Sequence, residues 1–328
     1  MGKKKWIYEC DILRAVAIIF VMLSHLSVFV DYWFLKQELA TTGLVTFFFV
    51  SGFLLAKTKK LSSAEKIKQF YKKRFLRIYP LYFVALAAIF AVFTLGIGFM
   101  LKTYDYSLLN FVVHSLSAQA FFFGVYDLPV MWFIGTIIIY YLIYPFIAFS
   151  NKWYTFVAAA LVTLAAILYL YSLGMLDPRV LRYWPAFFLG IGIRRYSTGE
   201  KIISPVLLLL AFFITGLVTG FNTFVFDPKI IAIALASLAY IGLVKKKTVQ
   251  RLESTPAIVT KISYSSYASY LLHIPIMGLV SAGLIYFGVL NVYSLVLISL
   301  PATLAIGFYV QKAYDSLQGR ESPRKALR

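Results

Sequence analysis

Two basic residues, Arg14 and His25, lie at and within the first apolar run of the chain, where a polar side chain costs free energy. They are eleven residues apart, so steps of about 100° bring both to one face of a helix. Their axial separation of about 16 Å is comparable to a phosphopantetheine arm. An arginine can bind phosphate, and a neutral imidazole can act as a general base. The spacing therefore predicts an anion-binding residue at the cytoplasmic mouth and a base deeper on the same face.

Both residues also have a purely structural interpretation. Arg14 could pair with Asp11, which lies three residues earlier on the same helix. A histidine in a membrane span can be a neutral imidazole hydrogen-bonded to a neighbouring helix, and we expect that role for His273. Because Arg14 shares its face, we predict a catalytic role for His25. His273 is predicted to lie off that face.

A second pair of arginines, Arg74 and Arg77, ends a basic stretch just before Pro80. They are three residues apart and share a face if the stretch is helical. Arginine forms two-pronged phosphate contacts that lysine cannot, which favours a phosphate-binding role over ordinary cytoplasmic charge. For the basic residues from Lys57 to Lys73, cytoplasmic charge is a sufficient explanation.

The composition predicts a membrane protein with the lipid bilayer as its main partner. Of 328 residues, 61% are hydrophobic and 14% charged, and the apolar runs are long and continuous. Continuous runs favour an all-α protein over a barrel, whose strands alternate in polarity. The net charge of +19 does not indicate nucleic acid, since the basic residues lie between apolar runs.

The distribution of basic residues predicts about ten transmembrane helices with both termini in the cytoplasm. If the polar segment at 106–126 is re-entrant or interfacial, only five of the 32 basic residues face outward. A crossing there would invert every later loop. The predicted spans are Ile12–Val30, Leu39–Ala56, Ile78–Leu101, Leu128–Ser150, Trp153–Leu176, Val180–Ile193, Ile202–Phe226, Ile230–Val244 and two within Ile262–Gln311, with a turn at Gly288–Asn291.

The same reading divides the chain into a transmembrane domain, 1–313, and a polar, disordered cytoplasmic tail, 314–328. All acidic residues fall in loops or at helix ends of this layout. Coupled transporters usually place carboxylates within the bilayer, so this distribution favours an enzyme over the alternative, an exporter of a glycan or lipid-linked precursor. No metal site is predicted.

Five segments, in this order, resemble acyltransferase family 3, the membrane O-acyltransferases that modify cell-surface glycans and related molecules. The first carries Arg14 and His25 with ten residues between them, and the third carries the Arg-x-x-Arg-Ile-x-Pro pattern. The segments are DILRAVAIIFVMLSH, GLVTFFFVSGFLLAK with its Ser-Gly-Phe signature, FYKKRFLRIYPLY, MWFIGTIIIYYLIYP and ISYSSYASYLLHIPI.

This resemblance implies a multi-pass protein of the plasma membrane that transfers an acyl group, expected to be acetyl, from cytoplasmic acyl-CoA to a hydroxyl acceptor. His25 would be the catalytic base. Arg14, Arg74 and Arg77 would bind the phosphates of the donor or shape its site. Many relatives carry a glutamate and a glutamine shortly after the tryptophan of the fourth segment. Here Ile137, Ile138 and Ile139 occupy those places, which leaves a carboxylate partner for His25 unidentified.

Overall fold

The computed structural model describes residues 8–31, 36–57, 60–94, 106–122, 128, 130–196, 203–218, 224–248 and 257–320, and every regular element in these ranges is a helix. The all-α prediction is confirmed for them. The helices are α1 (Tyr8–His25), α2 (Lys36–Leu55), α3 (Ala64–Thr94), α4 (Leu108–Ser115), α5 (Trp132–Ala148), α6 (Trp153–Ser172), α7 (Pro178–Arg182), α8 (Trp184–Tyr196), α9 (Ile203–Val218), α10 (Pro228–Thr248), α11 (Ala257–Tyr286) and α12 (Val292–Leu317).

Six helical segments are long and apolar enough to cross a bilayer: Glu9–Val28, Glu38–Leu55, Ala64–Val92, Trp153–Ser172, Ala257–Tyr286 and Val292–Leu317. Shorter apolar helices are Trp132–Ala148, Val206–Leu217 and Pro228–Ile241. Helix α4, inside the segment predicted not to cross, has 8 residues, whereas a spanning helix needs about 20. The chain is therefore a helical membrane protein.

The helices divide into two compact units. The first comprises Met1–Phe47, Ala87–Lys102 and Leu235–Arg328, and the second Phe48–Leu86 and Thr103–Ala234. In the first unit α11 packs against both α1 and α12. Ala257–Tyr286 is 72% buried and Val292–Leu317 only 22%, so α11 is an interior helix and α12 presents a broad apolar face to lipid.

The predicted turn between the last two helices is confirmed. Gly288 adopts a φ of +68°, which suits a residue without Cβ, and Asn291 then caps α12. The Asn291 side chain accepts hydrogen bonds from the backbone N–H groups of Tyr293 and Ser294. The polar turn therefore both ends the first helix of the pair and starts the second.

Helix α3 begins earlier than the predicted span, at Ala64 rather than at Ile78. Its 31 residues are about 46 Å long, more than the roughly 30 Å hydrocarbon core, so its basic first turns extend beyond the membrane. Pro80 lies inside the helix. Arg74 and Arg77 are therefore helical residues.

The run Val180–Ile193 is not one helix, contrary to the prediction. Helix α7 ends at Arg182 and α8 begins at Trp184. Pro185 explains the interruption, because it has no N–H for the carbonyl of Leu181 and its ring crowds that carbonyl. The periodicity of apolar residues carried no sign of this break.

The polar tail was predicted to be disordered from Tyr314, but α12 continues to Leu317. Asp315 is buried, and the hydroxyl of Tyr264 in α11 donates to its carboxylate at 2.6 Å. This contact holds the end of α12 against α11 beyond residue 313. The predicted boundary between the transmembrane domain and the tail therefore lies inside α12.

Candidate active site

Arg14 and His25 lie on a single uninterrupted helix, α1, as their spacing predicts. The charge of Arg14 acts on the Asp11 carboxylate, but no ion pair joins the two, and that carboxylate accepts a hydrogen bond from the hydroxyl of Ser263 in α11 at 2.7 Å. Among the described residues, the partly exposed guanidinium of Arg14 makes no hydrogen bond and no ion pair. Its donors are therefore available to a ligand.

His25 is the last residue of α1, and its ring is partly exposed. Its Nδ1 lies 2.7 Å from the carbonyl oxygen of Val21. A carbonyl oxygen only accepts hydrogen bonds, so Nδ1 carries the hydrogen and the neutral ring has its lone pair on Nε2. This is the tautomer that a general base acting through Nε2 requires.

The structure places His273 beside His25, and the prediction that it lies apart from the catalytic face is wrong. The ring centroids are 4.9 Å apart and the ring planes meet at 67°. The misjudged residue is on another helix, α11, so no spacing along the chain could reveal the contact. His273 is fully buried and its Nδ1 lies 2.5 Å from the carbonyl oxygen of Tyr270.

Helices α1 and α11 run parallel to each other. Asp11 meets Ser263 and, further along both helices, His25 meets His273. The aromatic ring of Tyr270 also packs against the His273 ring, with centroids 5.7 Å apart. The hydrogen bond from Ser263 to Asp11 and the packing of Tyr270 on His273 therefore fix the position of the His273 ring relative to α1. Among the described residues, no carboxylate forms a hydrogen bond with His25.

Arg74 and Arg77 belong to the second unit, whereas Arg14 and His25 belong to the first. The guanidinium of Arg74 lies between two aromatic rings, 5.4 Å from the centroid of Phe70 and 5.5 Å from that of Tyr141. Arg77 is exposed. The two arginines share a helix but not an environment, and their role at the donor site stays a prediction.

The Ser-Gly-Phe signature has a packing function within the second unit. A Cβ on Gly52 of α2 would lie 2.0 Å from the carbonyl oxygen of Phe187 in α8. A Cβ on Gly190 of α8 would lie 2.3 Å from the carbonyl oxygen of Phe49. Each glycine therefore lets one helix backbone approach the other, as small residues do in membrane helix pairs.

The tryptophan of the fourth segment, Trp132, supports an ion pair that the sequence did not reveal. Its ring stacks on Tyr183 with centroids 5.5 Å apart, and the guanidinium of Arg179 lies 4.6 Å from its centroid. Arg179 also pairs with Asp177 at 2.8 Å. The two ionic residues flank Pro178, so the start of α7 and the stacked tryptophan are fixed together.

No group of three or more histidine, cysteine, aspartate or glutamate side chains among the described residues is arranged to hold a metal ion. No curated protein and no solved structure matches the chain. A family model described as an acyltransferase domain, that of acyltransferase family 3, matches residues 7–311. The matched range contains Arg14, His25, Gly52 and His273. Since it covers most of the 328 residues, the chain belongs to acyltransferase family 3 and is a membrane acyltransferase.

Proposed function

We propose that this protein transfers an acetyl group from cytoplasmic acetyl-CoA to a hydroxyl group of a cell-surface or lipid-linked glycan at the plasma membrane. The observation that carries the proposal is the environment of His25. The residue ends a membrane helix, keeps a partly exposed ring and has Nδ1 bound to the carbonyl of Val21. Its Nε2 lone pair is then available to a substrate hydroxyl.

The reaction needs one proton acceptor and no redox partner. Nε2 of His25 takes the hydroxyl proton as the oxygen attacks the thioester carbonyl, forming the new C–O bond. The C–S bond then breaks, and the CoA thiolate takes the proton back from Nε2. The products are an ester and CoA, and the imidazole is neutral again for the next turnover.

The donor would be bound through its phosphates by Arg14, Arg74 and Arg77. Support is strongest for Arg14, whose guanidinium has no hydrogen bond or ion pair among the described residues. It lies about 16 Å from His25 along α1, so a phosphate at Arg14 places a thioester near the base. Stacking on Phe70 and Tyr141 orients the Arg74 guanidinium, whose planar fork suits a phosphate.

A topology of about ten spans with both termini in the cytoplasm gives the two substrates opposite points of entry. The parallel course of α1 and α11 supports it, because two parallel spans need an odd number of crossings between them. Counting α7 and α8 as one crossing and α4 as none leaves seven: α2, α3, α5, α6, α7–α8, α9 and α10. The donor then enters at the basic cytoplasmic side and the acceptor from the outer side or the membrane.

Purified protein in detergent tests the activity. Acetyl-CoA is supplied with and without a glycan extract, and free CoA and acetylated product are both measured. We expect acceptor-dependent CoA release and an ester on the glycan, with neither for His25→Ala. Mass spectrometry of surface glycans from a deletion strain then identifies the acceptor. CoA release without any acylated product would contradict glycan acylation.

Cysteine labelling tests the topology. The background is Cys10→Ser, which removes the only native cysteine. A cysteine at Ser62 should resist an impermeant thiol reagent on intact cells, and a cysteine at Ser107, before α4, should react. Both positions are exposed, so accessibility within the protein does not distinguish them. Labelling at Ser62 would reject a cytoplasmic position for the segment before α3.

A further inference from the structure

The two histidines of the first unit are chemically alike but differ in access. Both Nδ1 atoms point to a backbone carbonyl of their own helix, that of Val21 for His25 and that of Tyr270 for His273. The ring of His25 is partly exposed, whereas His273 has an exposed fraction of 0%. A substrate hydroxyl can therefore reach His25 but not His273, so only the first can be the base.

His273 nevertheless has an unused chemical group. Its Nε2 is buried and has no hydrogen-bond partner among the described residues. With Nδ1 acting as the donor, Nε2 carries a lone pair held within a membrane helix, which costs free energy that a leucine at this position would avoid. Such an unsatisfied buried group calls for an explanation, and the neighbouring ring is that of His25, with its centroid 4.9 Å from the centroid of the His273 ring.

We infer that His273 is a positioning residue for the transfer reaction, an inference that rests on the proposed role of His25 as the base. The edge-to-face contact holds the His25 ring in its reactive orientation. When Nε2 of His25 takes the acceptor's proton, the neutral His273 lone pair stabilises the new imidazolium. His273 is fully buried, so its lone pair is a fixed polar neighbour of the developing charge, and a preorganised neighbour of this kind has a large effect.

The surrounding contacts suit this role. The hydrogen bond between Asp11 and Ser263 joins α1 to α11 at one end of the helix pair. At the other end, the Tyr270 ring packs on His273. The charged groups of α1, which are Glu9, Asp11 and Arg14, all lie near its start, about 16 Å or more from His25 along the helix. His273 therefore supplies the neighbour for His25 that the isoleucines at 137–139 cannot.

Three substitutions separate the effect of the His273 lone pair from that of simple packing. His273→Phe keeps an aromatic ring without nitrogen, His273→Gln keeps a hydrogen-bond acceptor, and Ser281→Ala is a buried control further along α11. For each, kcat, the KM for acetyl-CoA, CoA binding and thermal stability are measured. We expect His273→Phe to lower kcat by up to about a hundredfold at unchanged CoA binding, and His273→Gln to restore part of it. Ser281→Ala should match wild type.

A reactivity measurement covers the case in which His273→Phe does not fold. Diethylpyrocarbonate acylates neutral imidazoles, and mass spectrometry distinguishes the three histidines of the chain. Acylation of His25 should be slower in His273→Gln than in wild type, since less stabilisation reaches its developing positive charge. Unchanged His25 acylation together with wild-type kcat in His273→Gln would overturn the inference. So would a fall in kcat that only follows a fall in CoA binding.

His25→Ala, measured in parallel, keeps the two proposals apart. An inactive His25→Ala protein beside fully active His273 variants would reject the positioning role alone. A fully active His25→Ala protein would reject the proposed base and, with it, the reason for a positioning residue.

Discussion

Arg14 in the first compact unit differs from the arginines of the second unit in what surrounds it. In the second unit four arginines contact rings or carboxylates: Arg74 with Phe70 and Tyr141, Arg179 with Asp177 and Trp132, Arg182 with Asp227 and Phe224, and Arg194 with Phe53. In the first unit, Arg320 pairs with Asp315 at 3.7 Å, but Arg14 has no hydrogen bond and no ion pair among the described residues. The buried Nε2 atom of His273, also in the first unit, lacks a hydrogen-bond partner among the described residues, as do some buried atoms of the second unit, such as Oγ1 of Thr136.

This difference separates positions that hold the fold from positions that could hold a substrate. A guanidinium already paired with a carboxylate, like that of Arg182 with Asp227 at 3.0 Å, has little to offer a ligand. An unpaired guanidinium and an imidazole lone pair at the membrane cost free energy, and no structural contact offsets that cost. Substitutions of Arg14 and His25 should therefore reduce activity, whereas substitutions of the ion-paired arginines of the second unit should reduce stability.

The largest effect is expected at His25. His25→Ala should abolish acyl transfer while leaving CoA binding largely intact, because a positioned base contributes roughly 10² to 10⁴ in rate. Acyl transfer and CoA binding are scored together for this variant and wild type. Parallel losses of binding and transfer would show that His25 is structural and that the contrast between the units does not hold.

Arg14 should have the next largest effect. Losing one charge-assisted phosphate contact costs about 1.5–3 kcal/mol, or roughly ten- to a hundredfold in affinity for acetyl-CoA. Arg14→Ala should show this loss in a direct binding assay at an unchanged melting temperature. Arg14→Lys keeps the charge and should recover part of the affinity. Equal affinity in all three proteins would make Arg14 a topology signal only.

Arg74 and Arg77 sharpen the comparison, because they lie in the second unit and yet are predicted to bind the donor. Both Arg74→Ala and Arg77→Ala should weaken CoA binding by roughly tenfold or more. Arg74→Ala should also lower the melting temperature, since its contacts with two rings are lost. Lys59→Ala and Lys60→Ala are the controls. Identical CoA binding in all four variants would mean that the basic residues of this segment only set the orientation of the protein in the membrane.

The smallest effect on chemistry is expected at Gly52. Gly52→Ala places a methyl group against the carbonyl of Phe187, and overpacking of this kind costs about 1–3 kcal/mol. The melting temperature in detergent should fall, while the activity per folded molecule stays near wild type. Gly283→Ala is the matched control, because nothing lies within 4 Å of its added Cβ. Equal stability of the two variants would mean that α2 and α8 can separate without cost.

The sequence was sufficient for the helices and for the family because both depend on local patterns. Long apolar runs in a membrane require helices. Arg14 and His25 lie on one helix, so their relative positions follow from their spacing in the sequence. The family model confirms that the protein is an acyltransferase. The break before Trp184 was missed because hydropathy does not register the missing N–H of Pro185.

The partner of His25 was missed for a different reason. Its contact joins helices at opposite ends of the chain, and one sequence contains no record of which helices touch. The late helix belongs to the family resemblance, but its histidine is predicted from the sequence to be structural and to lie off the face of Arg14 and His25. Only packing, with Asp11 on Ser263 and His25 on His273, shows that the two motifs form one arrangement.

The pairing of α1 with α11 also has a consequence for biosynthesis. Asp11 and Ser263 are 252 residues apart, and a ribosome adds about 5–20 residues per second, so α1 waits roughly 13–50 s in the membrane before α11 is made. During that interval the polar face with Asp11 and His25 has no partner from α11. A nascent chain stopped before residue 263 can insert its early helices, but it cannot complete this face. The synthesis of α11 therefore determines when the polar face of α1 is complete.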